Sequence, residues 1–391
     1  MVDDEPLATQ LRIEPRLSLP QPASIQTVQS SIPVIDAKTA EVVVEEEISP
    51  PITQSRADAS RRRISQQLAA KVISLSALKE VSWSGVPGDL RPTVWRLLTG
   101  AMPAASERRI EGLQAQREAF ASLASRYVDR DESLATAEER KLRHQISIDL
   151  PRTHPAAPFF QAPWVQASLA RVLFLWSIRH PGSGYVQGMN DLVTPFFLVY
   201  LRENVPTCSL DGSVSCEPPE KSVLAAIEAD CYWGFSHLLD SIQDNYTFAQ
   251  SGIQRQIRSL EELVHRVDGK LWSHLQEEGV QFLQFAFRWF NCMMMREFPL
   301  RLIVRLWDTY LSEEDFATLH VYVCAAFLVH WSQSLCTMDF QDIMLFLQSP
   351  ATENWSEEDI GVLLAKAFMW KTMFGQSPSH FRSMTAAEFV D

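Results

Sequence analysis

The stretch Trp164-Val-Gln-Ala-Ser-Leu169-Ala-Arg-Val172-Leu173-Phe-Leu-Trp176-Ser-Ile-Arg179 sets Val165, Leu169, Val172, Leu173 and Trp176 at helical spacing, and His180-Pro181-Gly182 ends the run. Upstream, Ser106 to His144 is rich in Glu, Arg, Gln and Ala with Leu113, Phe120, Leu123 and Tyr127 recurring, an amphipathic helical pattern divided near Asp129 to Ser133. Further out, Trp83-Ser-Gly85-Val-Pro87-Gly88-Asp89-Leu90-Arg91-Pro92 reads as a turn feeding a short helix that Gly100 terminates, with Leu90, Val94, Trp95, Leu97 and Leu98 on one face. Downstream, Gly188 to Leu201 reads as an apolar helix with Pro195 near its start or at a kink. Residues 202–222 form a Pro/Gly/Ser surface loop. Gly279 to Phe298 reads as a helix with Phe282, Phe285, Trp289, Phe290 and Met293 on one face. No two-residue alternation is bounded by turn signals on both sides. The expected fold is therefore all-α, two packed helical subdomains without a solenoid repeat.

With 46% hydrophobic residues, the 391-residue chain can build one large or two moderate cores. Residues 1–64 carry Pro, Ser, Gln and acids with no sustained apolar period, so they read as a disordered tail. A lead-in helix is expected at 65–80, and the main domain at 81–375, divided into halves at about 81–240 and 241–375. Residues 376–391 form a C-terminal tail. The tail 1–64 holds ten acids and seven bases, which leaves −10 of the −13 net charge on the rest and argues against nucleic acid as partner. Six cysteines at 208, 216, 231, 292, 324 and 336 lack CxxC spacing and read as free cytosolic thiols. The opening Met-Val-Asp-Asp-Glu is neither a secretory signal nor a mitochondrial presequence, and the C-terminus carries no prenylation signal. The longest apolar runs, such as Val321 to Val329, read as buried helix, too short to cross a bilayer. Ser65 after Arg61-Arg62-Arg63-Ile64 and Ser49 before Pro50 are short kinase-type contexts that also fit a plain solvated charge run.

Two motifs flank the opening helix. Ile146-Ser-Ile-Asp149-Leu-Pro-Arg152-Thr153 and Tyr185-Val-Gln187-Gly188-Met-Asn190-Asp191 put one arginine and one glutamine in separate turns. Phosphoryl transfer to water needs positive charge on the β/γ-phosphate oxygens and a polar group that holds the attacking water in line. Arg152 can supply the first and Gln187 the second. Guanidinium presents a planar, permanently charged donor fork, which lysine does not reproduce. A glutamine amide both accepts and donates, whereas glutamate would only accept and would add charge beside the phosphates. Gly184 and Gly188 around Gln187 indicate a turn with close backbone approach. Taken singly, Arg152 is an ordinary surface arginine and Gln187 a loop amide; no P-loop motif and no HExxH spacing occurs.

In order and spacing, the Gly85-Val-Pro87…Leu90-Arg91-Pro92…Val94-Trp95 block, the Ile146…Asp149…Arg152-Thr153 block and the Tyr185-Val-Gln187-Gly188 block together resemble the TBC-domain family of Rab GTPase-activating proteins. The likeness continues through Phe287-Arg288-Trp289-Phe290, Arg296-Glu297 and Leu306-Trp307-Asp308 and covers roughly residues 80–375. Finer wording, including Trp176-Ser-Ile-Arg179-His180-Pro181 and Thr352-Glu353-Asn354-Trp355, is similar to the subgroup of TBC domain family member 22 and a yeast Golgi Rab regulator.

The resemblance implies that Arg152 and Gln187 act in trans on a GTP-bound Rab-family small GTPase, the glutamine standing in for the partner's own. It also implies that GTP and Mg2+ belong to that partner, that the chain needs no cofactor or metal of its own, and that membrane contact is indirect, through a lipidated Rab at Golgi or other endomembranes. Asp149 is expected to orient the guanidinium or cap its turn, Tyr185 to position the glutamine turn, and Asn190 and Asp191 to hold it through backbone hydrogen bonds. Trp95 is expected in the core. The alternatives are a non-catalytic Rab-binding scaffold and a helical adaptor unrelated to GTPases.

Overall fold

The computed structural model describes residues 52–209, 211–213, 216–247 and 250–375, and every regular element among them is helical. The first half comprises α1 (Ile52–Leu68), α2 (Leu75–Ser82), α3 (Arg91–Leu98), α4 (Arg109–Tyr127), α5 (Ala137–Asp149), α6 (Pro158–Gln161), α7 (Pro163–Arg179), α8 (Met189–Leu192), α9 (Thr194–Asn204) and α10 (Lys221–Ser241). The second comprises α11 (Ser251–Val267), α12 (Gly269–Glu277), α13 (Phe282–Asn291), α14 (Leu300–Ser312), α15 (Phe316–His330), α16 (Ser332–Leu335), α17 (Phe340–Gln348) and α18 (Glu357–Phe374).

Local chemistry sets most boundaries. α5 opens on a capping box in which Thr136 and Glu139 satisfy each other's backbone N–H groups. α7 begins with Pro163 in its first turn, where a missing N–H costs nothing. Pro195 likewise starts α9, which divides the apolar run 188–201 into two helices.

Two boundaries differ from the sequence reading. The proposed tail reaching residue 64 and the lead-in helix at 65–80 give way to α1, which already starts at Ile52, and to α2 after a break. α1 is too polar to announce itself by periodicity, yet Ile64 is fully buried in the common core and Arg61 pairs with Asp89 at 2.6 Å. Tertiary burial, not local pattern, supplies this helix. Ser49, Pro50 and the 376–391 tail lie outside the described residues. Gly279 to Phe298 does not run through as one helix: α13 stops at Asn291, and Met293 (φ 49°) and Met294 (φ 60°) turn the chain into the left-handed region. Cys292 to Met295 are buried there, so the apolar character that suggested a longer helix instead fills an irregular segment.

The two helical halves share one core. Trp95 of α3, Phe196 of α9 and Trp307 of α14 meet at ring-centroid distances of 5.4, 5.5 and 6.4 Å. Beside them Asp308 is completely buried and accepts from the Arg91 Nε (2.9 Å) and Nη2 (3.0 Å), Trp95 Nε1 (2.8 Å) and Val86 N (2.9 Å). A buried carboxylate is tolerated only when its oxygens are paired, and this one ties the first sequence block to the second half.

Candidate functional site

Arg152 ends a 3-10 turn, Leu150–Arg152, that continues α5; Pro151 has no N–H for another α-helical bond. Its side chain is 67% exposed, and the nearest acid is Asp149, with Oδ1 3.8 Å from Nη1. Leu150, two residues before it, and Thr153, directly after it, are buried. The arginine therefore projects from a fixed base with its guanidinium loosely tethered.

Gln187 caps a turn bounded by Gly184 (φ 63°) and Gly188 (φ 106°). At Gly188 a Cβ would lie 2.4 Å from Asn291 Nδ2, so both conformation and space demand glycine. The Gln187 side chain is exposed, and among the described residues nothing hydrogen-bonds its amide. Its backbone carbonyl accepts from Asn291 Nδ2 at 2.9 Å.

Between the two turns runs a buried polar network. The Tyr185 hydroxyl lies 2.9 Å from Asp149 Oδ2 and 3.3 Å from Asn190 Oδ1. Asn190 Oδ1 also accepts from Gly188 N at 3.0 Å, and Asn190 Nδ2 donates to Thr153 Oγ1 at 2.9 Å. Burial, reinforced by the Asp149 carboxylate, holds the Tyr185 hydroxyl far above its ordinary pKa, so it stays a donor. Asp149 thus meets Tyr185 more closely than it meets Arg152. Asn190 holds the glutamine turn through the backbone N–H of Gly188, and Asp191 through its own backbone N–H, which donates to Gly188 O at 3.1 Å; the Asp191 carboxylate receives Arg296 Nε at 2.9 Å and Asn190 Nδ2 at 3.3 Å. The Arg296–Asp191 ion pair adds a charge-assisted tie from the second half of the fold.

Asn291, Arg296 and Thr153 were not given roles by the sequence reading. Thr153 stood inside a quoted motif, and Arg296 in the wider likeness; Asn291 carried no signal, because its partner lies 104 residues away. A cavity of about 580 Å3 borders the arginine turn, lined by Arg152, His154, Asp191, Arg296 and Leu300 among others. His154, at φ 42°, is within 3.2 Å of Thr194 Oγ1, and burial lowers its pKa, which favours the neutral ring. Trp95, with Arg91, is buried well inside the fold. Among the described residues no group of three His, Cys, Asp or Glu is arranged to hold a metal, and no helix is long and apolar enough to cross a membrane.

The family model of the Rab-GTPase-TBC domain matches residues 88–336, and the chain belongs to that family. It is 47% identical over 336 residues to human TBC1 domain family member 22B, covering 85% of this chain and 65% of that protein. To the GTPase-activating protein gyp1 of Schizosaccharomyces pombe it is 43% identical over 354 residues, covering 89% of this chain and 67% of the relative. The chain thus spans about two thirds of the length of these relatives. The crystal structure of the Ypt/Rab-GAP domain of Gyp1p superposes with a TM-score of 0.77 at 42% identity, over 81% of this chain and 99% of that one. The Chlamydomonas flagellar RabGAP TBC domain, at 20% identity and a TM-score of 0.55, has the same fold.

Proposed function

We propose that this protein is a GTPase activator for one or more Rab-family small GTPases, supplying Arg152 and Gln187 in trans to the partner's GTP site. The observation that carries the reading is the network Asp149–Tyr185–Asn190–Thr153, which locks together two turns whose exposed side chains are the two that GTP hydrolysis needs. The names of its relatives, GTPase-activating protein gyp1 among them, support the same direction. Arg152 would neutralise charge developing on the β/γ-phosphate oxygens, and Gln187 would accept from and donate to the water and its surroundings so that attack is in line. GTP and Mg2+ arrive with the partner. An arginine finger contributes about 10³ to 10⁵ in rate, roughly 4 to 7 kcal/mol of barrier. The partner's lipid anchor brings the chain from the cytoplasm to a membrane, with the Golgi as the proposed site.

Single-turnover GTP hydrolysis by a panel of purified Rab proteins tests this, comparing the unmodified chain with Arg152→Ala and Gln187→Ala. Acceleration of one or a few Rabs that collapses by orders of magnitude in both variants is the expected result. Binding without acceleration by the unmodified chain would sink the catalytic reading in favour of a scaffold.

A further inference from the structure

Between α9 and α10 the chain crosses a loop that carries two of the six cysteines. Cys208 is buried, Cys216 is partly exposed, and their sulfurs lie 3.4 Å apart. That separation is only about 1.4 Å longer than a disulfide bond. The remaining four cysteines, at 231, 292, 324 and 336, have no sulfur contact of this kind among the described residues. The same loop leans on the segment after the arginine turn: Phe159 N donates to Gly212 O at 3.3 Å, and a Cβ at Gly212 (φ 69°) would sit 3.1 Å from Ala157 and 3.3 Å from Phe160. Asp211 and Ser213 line the cavity that Arg152 borders.

We propose that Cys208 and Cys216 are a reversible oxidation site, closing to a disulfide under peroxide and pinning the loop against Ala157–Phe160. Cys216 leads, because it is the accessible sulfur, whereas burial first, and then its neighbour, raises the Cys208 thiol and keeps it protonated at neutral pH. The Cys216 thiolate attacks one peroxide oxygen and the O–O bond breaks; the departing hydroxide takes up the thiol proton as water, leaving a sulfenic acid on Cys216. Cys208 sulfur then attacks Cys216 sulfur, the S–O bond breaks, and the expelled hydroxide takes the Cys208 proton to leave as a second water. Two thiols lose two electrons in all, and one peroxide becomes two waters.

The test is to treat the reduced full chain with hydrogen peroxide and follow intact mass, free-thiol titre and disulfide peptide mapping. The expected result is loss of two hydrogens and two thiols, a single Cys208–Cys216 cross-linked peptide, and full reversal by dithiothreitol. Cys216→Ser should remove the product, and Cys208→Ala should leave Cys216 trapped as a sulfenic acid that dimedone captures. Hydrogen exchange at residues 157–160 should slow in the oxidised form of the unmodified chain and stay unchanged in Cys216→Ser after the same treatment. Cross-links through other cysteines, or oxidation of Cys216 to the sulfinic acid with Cys208 still free, would overturn the proposal. None of these readouts depends on GTPase activation, so the site stands or falls separately from the proposed function.

Discussion

Tyr185 donates its hydroxyl to the Asp149 carboxylate at 2.9 Å, which joins the residue two before Gln187 to the residue three before Arg152 through the protein interior. The two exposed side chains are therefore linked by a partly buried hydrogen bond between residues other than themselves. The bond makes the two turns one unit.

Removing that bond should loosen the unit. Tyr185→Phe leaves Asp149 buried with its long contact to Arg152 as its remaining charged partner, at a stability cost of about 1 to 3 kcal/mol. GTPase activation should fall about tenfold, equivalent to roughly 1.4 kcal/mol of barrier. Urea unfolding and single-turnover rates, measured side by side, check both numbers, and an unchanged rate would remove Tyr185 from the positioning network.

Gly188→Ala should be more damaging, because the new Cβ needs a positive φ and meets Asn291 Nδ2 at 2.4 Å. A left-handed backbone costs a non-glycine residue about 1 to 2 kcal/mol before any clash is counted. Combining it with Asn291→Ala makes room, so the double variant should be more stable than the sum of the two single losses. Strict additivity in chemical denaturation would show that the steric contact is not the cause.

Asp308→Asn should unfold the protein more readily than any change at the surface. The neutral amide strands the buried Arg91 guanidinium, and breaking one partner of a buried pair costs about 3 to 5 kcal/mol. A drop in the denaturation midpoint with an unchanged slope is the expected signature.

His320 makes stability depend on pH. It is fully buried, and burial brings its imidazole down to about 4 from the ordinary 6.5. Between those values the unfolded chain binds a proton that the folded chain excludes, so this contribution to stability is intact above pH 6.5 and is lost as pH falls toward 4. The loss across the window is about 3 kcal/mol. Glu297, whose carboxyl burial raises, works in the opposite direction. His320→Gln can keep a polar group near Tyr310, and its stability should vary less steeply with pH across this interval; parallel pH profiles would contradict the assignment.

Ile64→Ala tests the helix that the sequence did not announce. A fully buried isoleucine truncated to alanine costs about 2 to 5 kcal/mol when its helix belongs to the cooperative core. A change below about 0.5 kcal/mol, the range of exposed substitutions, would detach α1 from the fold.

What was legible before the structure follows from the range of the forces involved. α7 and α15 announce themselves because their dense apolar side chains, and for α7 the His180-Pro181-Gly182 stop, are local. α1 does not, since its sequence is polar and Ile64 is buried only in the folded core. The break after Asn291 was hidden for a related reason: methionines that bury in a helix bury equally well in a left-handed turn. At the site, Arg152 and Gln187 stand out because their motifs fall in the order and spacing of the three sequence blocks, with Gly184 and Gly188 marking the glutamine turn. The grip of Asn291 and Arg296 on the glutamine turn left no local trace, because each reaches across more than a hundred residues.

That grip ties the glutamine turn to the far end of the fold. A fragment ending at Ser241 would contain every residue of both motifs, yet it would lack Asn291 under the Gln187 carbonyl, Arg296 on Asp191 and Asp308 between Arg91 and Val86. Motif inventories would score such a piece as whole, although its glutamine turn would have lost half of its bearings. In this architecture the placing of Arg152 and Gln187 depends on residues 52–375 acting together, and a lesion at Asn291 would disturb the proposed Gln187 finger through its backbone carbonyl.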